Sequence, residues 1–525
     1  MTRCTEKVAG MLVAFTVAAV TADSGVALAD PAPPTELPIT ICPALYALGI
    51  QGTGESSPDA APTTDTGMLS TVFRPLLALA PTPGLVERAY VPYESSFGGV
   101  LGGGRAPYAD SVAGGLGRLR AMSADILRRC PETRLAVIGY SQGAHVASVF
   151  AQEVGLGHGA VAADRIAAVA LFGDPTRNPG APLFPGAPGK DSPDPAPGTE
   201  GARLTSVRAL PEPPASGGGI GPERDRAAAF GALTGRVASF CAAGDLACDA
   251  PIGAPLLRAV ASIAGQSELS GGDPIASLES IAQALAFTSI KTAAAVAGQD
   301  LRGSTAANLS LAPQKSISER VADAADPRSR VDLPGALQAL LRVGLIGLNA
   351  VNAVIRTVLN PAAIADLATA GLSDPVGSLQ LLGTRLVGSV TQLVPPTTVS
   401  RLVNQAYGAV VGTITDNAEL LDATTWVRYW DTVQRHTGYN NAAVSANGQA
   451  PTRFVAGWLA AVAADLAGKF GPQRSANPPP PAFSSSPGAS STPNSSGTGQ
   501  FPFGSGPSAV PADRPGTNAY PFSMN

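Results

Sequence analysis

A strand, a forced turn and the start of a helix are compressed into residues 135–146, and few folds accommodate that. Leu135-Ala-Val-Ile138 is a continuous apolar run, as expected of a strand buried on both faces. Ala144-His-Val-Ala-Ser-Val-Phe150 reads as a helix. Between them lies Gly139-Tyr-Ser-Gln-Gly143, a G-x-S-x-G. Its glycines are needed where strand and helix backbones cross too closely for a Cβ. The helix aims its positive end and its unpaired N–H groups at the serine. Ser141 is therefore the candidate nucleophile, and an α/β fold with a central parallel sheet is the expected frame.

The elbow alone does not make a site, so the rest of the chain has to supply partners. With 525 residues and 45% apolar content there is enough material for a large core and more than one domain. A net charge of −4 offers no basic field, which argues against nucleic acid as a partner. Residues 1–29 read as a signal peptide: Arg3 and Lys7, an apolar stretch over 8–20, then Ala27-Leu-Ala29 as a small-residue cleavage pattern. The apolar stretch is short for a membrane span. The mature chain is expected to be exported and to begin near Asp30.

Export changes how the cysteines read. Cys4 falls within the leader, leaving Cys42, Cys130, Cys241 and Cys248. Four cysteines allow three pairings. The short spacing of Cys241 and Cys248 favours a local loop, which leaves Cys42 for Cys130. Zinc is the alternative, but no C-x-x-C pair is present.

Along the chain, residues 30–38 are a proline-rich linker. Residues 39–249 alternate strand-like runs (44–50, 135–138, 166–172) with helical patterns such as 111–129, the signature of a parallel sheet covered on both faces. Residues 185–222 are rich in Pro, Gly and Ser and read as a surface loop, and the Gly-rich segment 98–104 as a flexible one. Residues 250–425 change character to Ala/Leu/Val-rich helical periodicity. Asp273-Pro274 and Asp374-Pro375 read as N-caps with proline at the first helical position. A helix over 337–359 is apolar around most of its circumference, with a similar one at 376–393. Arg342, Asn349, Asn352 and Arg356 argue against that helix spanning a membrane. Residues 475–525 are rich in Pro, Ser, Gly and Asn with almost no charge, and read as a disordered tail.

A serine nucleophile needs a base, and the base needs an orienting carboxylate. Three histidines exist. His145 lies one helical turn beyond Ser141 and should point away from the elbow, and His158 sits in a Gly-rich turn. His436, late in the chain after the helix-like 425–435, fits the order Ser, acid, His of α/β-hydrolases. For the acid, Asp174 follows a strand, whereas Asp245 lies inside Cys241-Ala-Ala-Gly-Asp-Leu-Ala-Cys248. A clamped loop would hold a carboxylate rigidly, which favours Asp245 and leaves Asp174 a structural role.

Together these residues resemble the cutinase family of serine esterases, in its exported actinobacterial form. The resemblance rests on Gly139-Tyr-Ser-Gln-Gly143, on Asp245 within Cys241–Cys248, on Cys42 with Cys130, on Gly52-Thr-Gly-Glu55, and on Tyr439 three residues after His436. It covers residues 39–249 and 426–470, with a closing helix at 452–469. It implies a cutinase-like α/β-hydrolase in which Ser141 attacks an ester carbonyl, His436 carries the proton and Asp245 orients His436. Thr53 and the backbone N–H of Gln142 would form the oxyanion hole, and the disulfides would be Cys42–Cys130 and Cys241–Cys248. The implied substrate is a lipophilic acyl ester. No cofactor or metal is expected, since no metal cluster, phosphate loop or dinucleotide motif is legible.

One departure from the family matters. Its members place the histidine shortly after the acid loop, whereas here 191 positions separate Asp245 from His436. The mainly helical residues 250–425 therefore spring from the loops that border the site, and could cap Ser141. An enclosed apolar groove would suit long acyl chains and hinder a bulky polyester. Two other readings use the same residues: acyl transfer to a cell-envelope acceptor, and a non-catalytic lipid-binding protein of the envelope.

Overall fold

The computed structural model describes residues 37–98, 104–207, 215–266, 284–330, 396–421 and 427–474, with short gaps in 284–330 and 427–474. The leader, most of the 30–38 linker, most of the Gly-rich segment, both Asp-Pro starts, the apolar helices at 337–359 and 376–393, and the 475–525 tail lie outside the described residues.

The strand-like runs pair as their composition demands. After a short β1 (Ile41–Cys42), strands β2 (Leu45–Ile50), β3 (Val86–Tyr90), β4 (Arg134–Tyr140), β5 (Ile166–Phe172) and β6 (Val237–Phe240) form one sheet. Its order is β3-β2-β4-β5-β6, and every neighbouring pair is parallel. All residues of β2, β4, β5 and β6 are buried, which explains why those segments are apolar throughout rather than alternating.

Both faces of the sheet are covered by helices. Helices α1 (Ser70–Leu79) and α8 (Pro451–Ala467) lie on one side, where Phe73, Phe454, Trp458 and Leu459 enter a single core with Phe172 and Phe240. Helices α2 (Tyr108–Arg129) and α3 (Gln142–Gly155) cover the other, bringing Leu119, Ile126, Val146 and Phe150 against Leu48, Val137 and Val169. Fully burying side chains of this size contributes roughly 1.5–3 kcal/mol each.

Topology then fixes where a site can form. β2 and β4 are neighbours, yet the chain leaves β2 for β3 on one side and leaves β4 for β5 on the other. A crevice opens at the carboxyl ends of such a strand pair, and that is where ligands bind in open α/β sheets. Thr53 follows β2 and Ser141 follows β4, so both stand at this crevice.

Two disulfides brace the frame. Cys42–Cys130 joins β1 to the residue after α2, with 5.4 Å between Cα atoms. Closing its 88-residue separation removes about 4.6 kcal/mol of unfolded-chain entropy. Cys241–Cys248 closes the loop that follows β6.

Between that loop and the late histidine the described chain is mainly helical: α4 (Pro255–Gln266), α5 (Ile317–Ala325) and α6 (Pro396–Asp416). A small antiparallel ladder, β7 (Leu301–Arg302) with β8 (Ser310–Leu311), interrupts it. Helix α5 starts at a capping box, Ser316 receiving the Glu319 N–H while Glu319 receives the Ser316 N–H.

Two expectations need refinement. The Pro/Gly/Ser-rich stretch from 185 is irregular and mostly exposed or half-buried where described, but it also sends Ala196 and Leu204 into the same core as α8. Prolines and glycines deny it regular structure, but its apolar side chains still have a core to enter. The 425–435 pattern is split where described: residues 427 and 428 are helical, and α7 (Thr432–Thr437) contains His436 in its last turn.

Candidate active site

The elbow is as tight as its glycines require. Ser141 has φ 55° and ψ −122°, and it is the one non-glycine residue with positive φ among those described. Such a conformation costs roughly 1–3 kcal/mol and persists only where the surroundings fix it. Here they do. The Ser141 N–H donates to Phe172 O at 2.8 Å, and a Cβ on Gly139 would lie 2.4 Å from Gly143 O. A Cβ on Gly143 would lie 2.0 Å from Ile50 O. The helix can start this close to the sheet only with glycine there.

His436 reaches the elbow from 295 positions away, with its Nε2 2.8 Å from Ser141 Oγ. Its Nδ1 lies 2.9 Å from each Asp245 carboxylate oxygen. Tyr140 stacks on the imidazole at 5.2 Å between ring centres, and its hydroxyl donates to His436 O at 3.2 Å. Asp245 is fully buried and receives hydrogen bonds from Tyr439 OH at 2.6 Å and Ala247 N–H at 3.0 Å. Burial pushes the His436 imidazole down, but the Asp245 charge, its hydrogen bond and, more weakly, Glu55 outweigh this. The net result lies above the ordinary value of 6.5.

The acid loop and the histidine segment are bound to each other despite the residues between them. Arg428 pairs with Asp249, Tyr429 OH donates to Asp249 O at 2.6 Å, and the Leu246 N–H donates to Thr432 Oγ1 at 2.8 Å. The distance in sequence between Asp245 and His436 is thus bridged locally at the sheet edge. Tyr439 was legible only as a spacing after His436. The Arg428–Asp249 pair carried no local signal at all.

On the opposite side, Gly52-Thr-Gly-Glu55 is a turn held by its own glutamate. Glu55 accepts the Gly52 N–H at 3.1 Å and the Met68 N–H at 3.0 Å, while the Gly54 N–H donates to Ser95 O at 2.7 Å. This sets Thr53 Oγ1 3.3 Å from Gln142 Oε1. The Gln142 amide is fixed in turn, donating to Ser96 O at 2.8 Å and Ser111 Oγ at 3.2 Å. As the first residue of α3, Gln142 presents an N–H with no intrahelical acceptor.

The remaining candidates sort cleanly. Asp174 is buried and accepts from the Thr176 N–H and Oγ1 at 2.8 and 2.7 Å, the structural place expected of it. His158 is exposed beyond α3. His145 is buried and bonded to other groups, Nε2 2.9 Å from Asp225 Oδ2 and Nδ1 3.0 Å from Tyr108 OH. A cavity of about 280 Å³ opens beside Ser141, and α4 and residues 326–328 contribute to its lining. Among the described residues no helix is long and apolar enough to cross a membrane.

A parallel sheet with a serine elbow and an Asp–His–Ser chain at its switch point is the arrangement of an α/β-hydrolase. The family model for cutinase matches residues 57–256. The carboxylesterase Culp6 homolog of Corynebacterium glutamicum is 30% identical over 233 residues, spanning 42% of this chain and 71% of that protein. The chain belongs to the cutinase family of carboxylic-ester hydrolases. Solved structures similar to it include the acetyl xylan esterase catalytic core of Trichoderma reesei, at 20% identity and TM-score 0.27, covering 46% of this chain and 98% of that one. Lysin B of mycobacteriophage D29 is similar at 20% identity and TM-score 0.29, covering 46% and 85%.

Proposed function

We propose that this chain is an exported serine esterase that cleaves lipophilic acyl esters through an acyl-enzyme on Ser141. The observation that carries this is the unbroken run from Asp245 to His436 to Ser141, at 2.9 and 2.8 Å. His436 Nε2 takes the Ser141 proton as Oγ attacks the ester carbonyl. The negative charge that develops on the carbonyl oxygen faces the Gln142 N–H and Thr53. Donors of that kind contribute roughly 10²–10³ in rate each. His436 then gives the proton to the departing alcohol, leaving the acyl group on Ser141. Water repeats the sequence, losing its proton to His436 and releasing the acid. Asp245, held by Tyr439, keeps Nδ1 protonated and Nε2 free to accept.

Export is supported by the two disulfides, which persist in oxidising compartments. The sparsely charged segment from 475 would suit a chain held in or extended through a cell envelope.

The direct test is hydrolysis of p-nitrophenyl esters from butyrate to palmitate, with Ser141→Ala as control. A folded wild-type chain that cleaves none of them would overturn the proposal.

A pH profile provides a separate check. A base must be neutral to act, and His436 is held above 6.5. Activity should therefore rise with pH along an acid limb whose midpoint lies above that value. In Asp245→Asn the larger upward pull is gone, leaving burial against only the weaker pull of Glu55, so the limb should move down while kcat falls about 10⁴-fold. A limb left in place would show that Asp245 does not set the imidazole.

A further inference from the structure

The cavity beside Ser141 is built by two parts of the chain. The hydrolase core supplies Phe97, Val112 and Ile220, and the chain inserted between the acid loop and the histidine supplies Ala261 and Gly265 of α4 together with Pro327. Gly265 lies flat against the core: a Cβ there would stand 3.0 Å from Tyr108 Cβ and 3.3 Å from the Phe97 ring. α4 is in turn tied to the end of α5, since Gln266 donates to Ala325 O.

What holds this wall is a polar chain, buried at its His145–Asp225 end and reaching the surface at Arg328, that ester hydrolysis itself does not use. Arg328 grips Asp225 with both terminal nitrogens, and Asp225 bonds His145 of α3, the helix that begins at the nucleophile elbow. Asp326 closes the other side of the guanidinium, with Arg328 Nε 3.1 Å from its Oδ1. Tyr108 OH completes the run on His145 Nδ1. Burial would raise the Asp225 carboxyl, but His145 and Arg328 outweigh it and bring it down to about 2. The pairing therefore stays ionised across the working pH range.

Resting on the esterase reading above, we propose that α4 and residues 326–328 form the acyl-pocket wall of this enzyme, clamped to the core by Arg328 through Asp225, and that this wall selects acyl groups of medium length. At ~30 Å³ per water-sized group, the cavity of about 280 Å³ holds on the order of nine heavy atoms. That is less than a palmitoyl chain needs. A wall across the site from Ser141 also keeps an extended polyester from lying over the nucleophile. Ala261 is a depth-setting residue, and Arg328 is a positioning residue that acts through the wall.

The test compares kcat/KM for p-nitrophenyl butyrate, octanoate and palmitate, in the full chain and its variants. Wild type should favour octanoate. Ala261→Phe fills the pocket and should lower octanoate at least ~10-fold against butyrate. Arg328→Met frees the wall and should shrink the preference of octanoate over palmitate by ~10-fold, with Arg328→Lys restoring part of it. Lysine keeps the charge but not the two-pronged grip. A chain-length profile unmoved by Ala261→Phe, with hydrolysis still dependent on Ser141, overturns this inference and leaves the esterase reading intact. Absence of Ser141-dependent hydrolysis in wild type overturns both. If Arg328→Met loses its cooperative melt, Ala261→Phe alone decides, because a filled pocket leaves the clamp in place.

Discussion

Ser141→Ala should lower ester hydrolysis by roughly 10⁴–10⁶-fold while leaving the melting curve unchanged or slightly raised. The size of the loss follows from the site's construction. His436 and Asp245 are positioned to act on one oxygen, and with that oxygen gone neither has a proton to move. What remains is binding and the oxyanion donors, which leave a small rate above that in water. The stability expectation has a separate cause: Ser141 makes no side-chain cap for α3, and its strained backbone conformation is retained by alanine. A variant that kept a tenth of the activity would place the nucleophile elsewhere. Turnover of p-nitrophenyl octanoate, read beside circular-dichroism melting, separates lost chemistry from lost fold.

Gly143→Ala should be among the most damaging single methyl additions in the core. Its Cβ would sit 2.0 Å from Ile50 O and 2.5 Å from Gln51 O, and both are backbone atoms at the end of β2. No rotamer relieves such a clash, so α3 and β2 must separate. Overpacking typically costs 1–3 kcal/mol where side chains can yield. Here the cost should be at least ~3 kcal/mol, a drop in melting temperature of the order of 10 °C. Activity should fall as well, about 10²-fold, since a shift near 1 Å in the elbow misaligns Ser141 and the Gln142 N–H. Gly117→Ala is the informative contrast. Nothing lies within 4 Å of a Cβ at that position in α2, so alanine should stabilise the helix by up to ~1 kcal/mol. Equal effects from the two substitutions would contradict the close-approach account of the elbow.

The parts of this molecule legible in the sequence are those where one local constraint forces residue types. The elbow needs two glycines around a serine, the acid loop needs flanking cysteines, and strands buried on both faces need apolar runs. All of these could be read at short range. β3 and β6 could not, because Val86–Tyr90 includes Glu87 and Arg88 and Val237–Phe240 is only four residues long. The stretch from 185 is only half legible: its turn residues show an irregular segment, but burial of Ala196 and Leu204 depends on what α8 brings from far along the chain. The His145–Asp225–Arg328 chain joins residues 80 and 103 positions apart, and no periodicity marks it. The partners of His145, Asp225 and Tyr108, are visible only in three dimensions.

The central claim is that Ser141 forms a covalent acyl-enzyme with His436 as its base. The most direct measurement is labelling with an alkyl fluorophosphonate, followed by intact mass and peptide mapping. The account predicts a single adduct on the peptide carrying Ser141, none in Ser141→Ala, and labelling slowed by orders of magnitude in His436→Ala. An adduct on another residue of the wild-type chain, or labelling at full rate in His436→Ala, would contradict it.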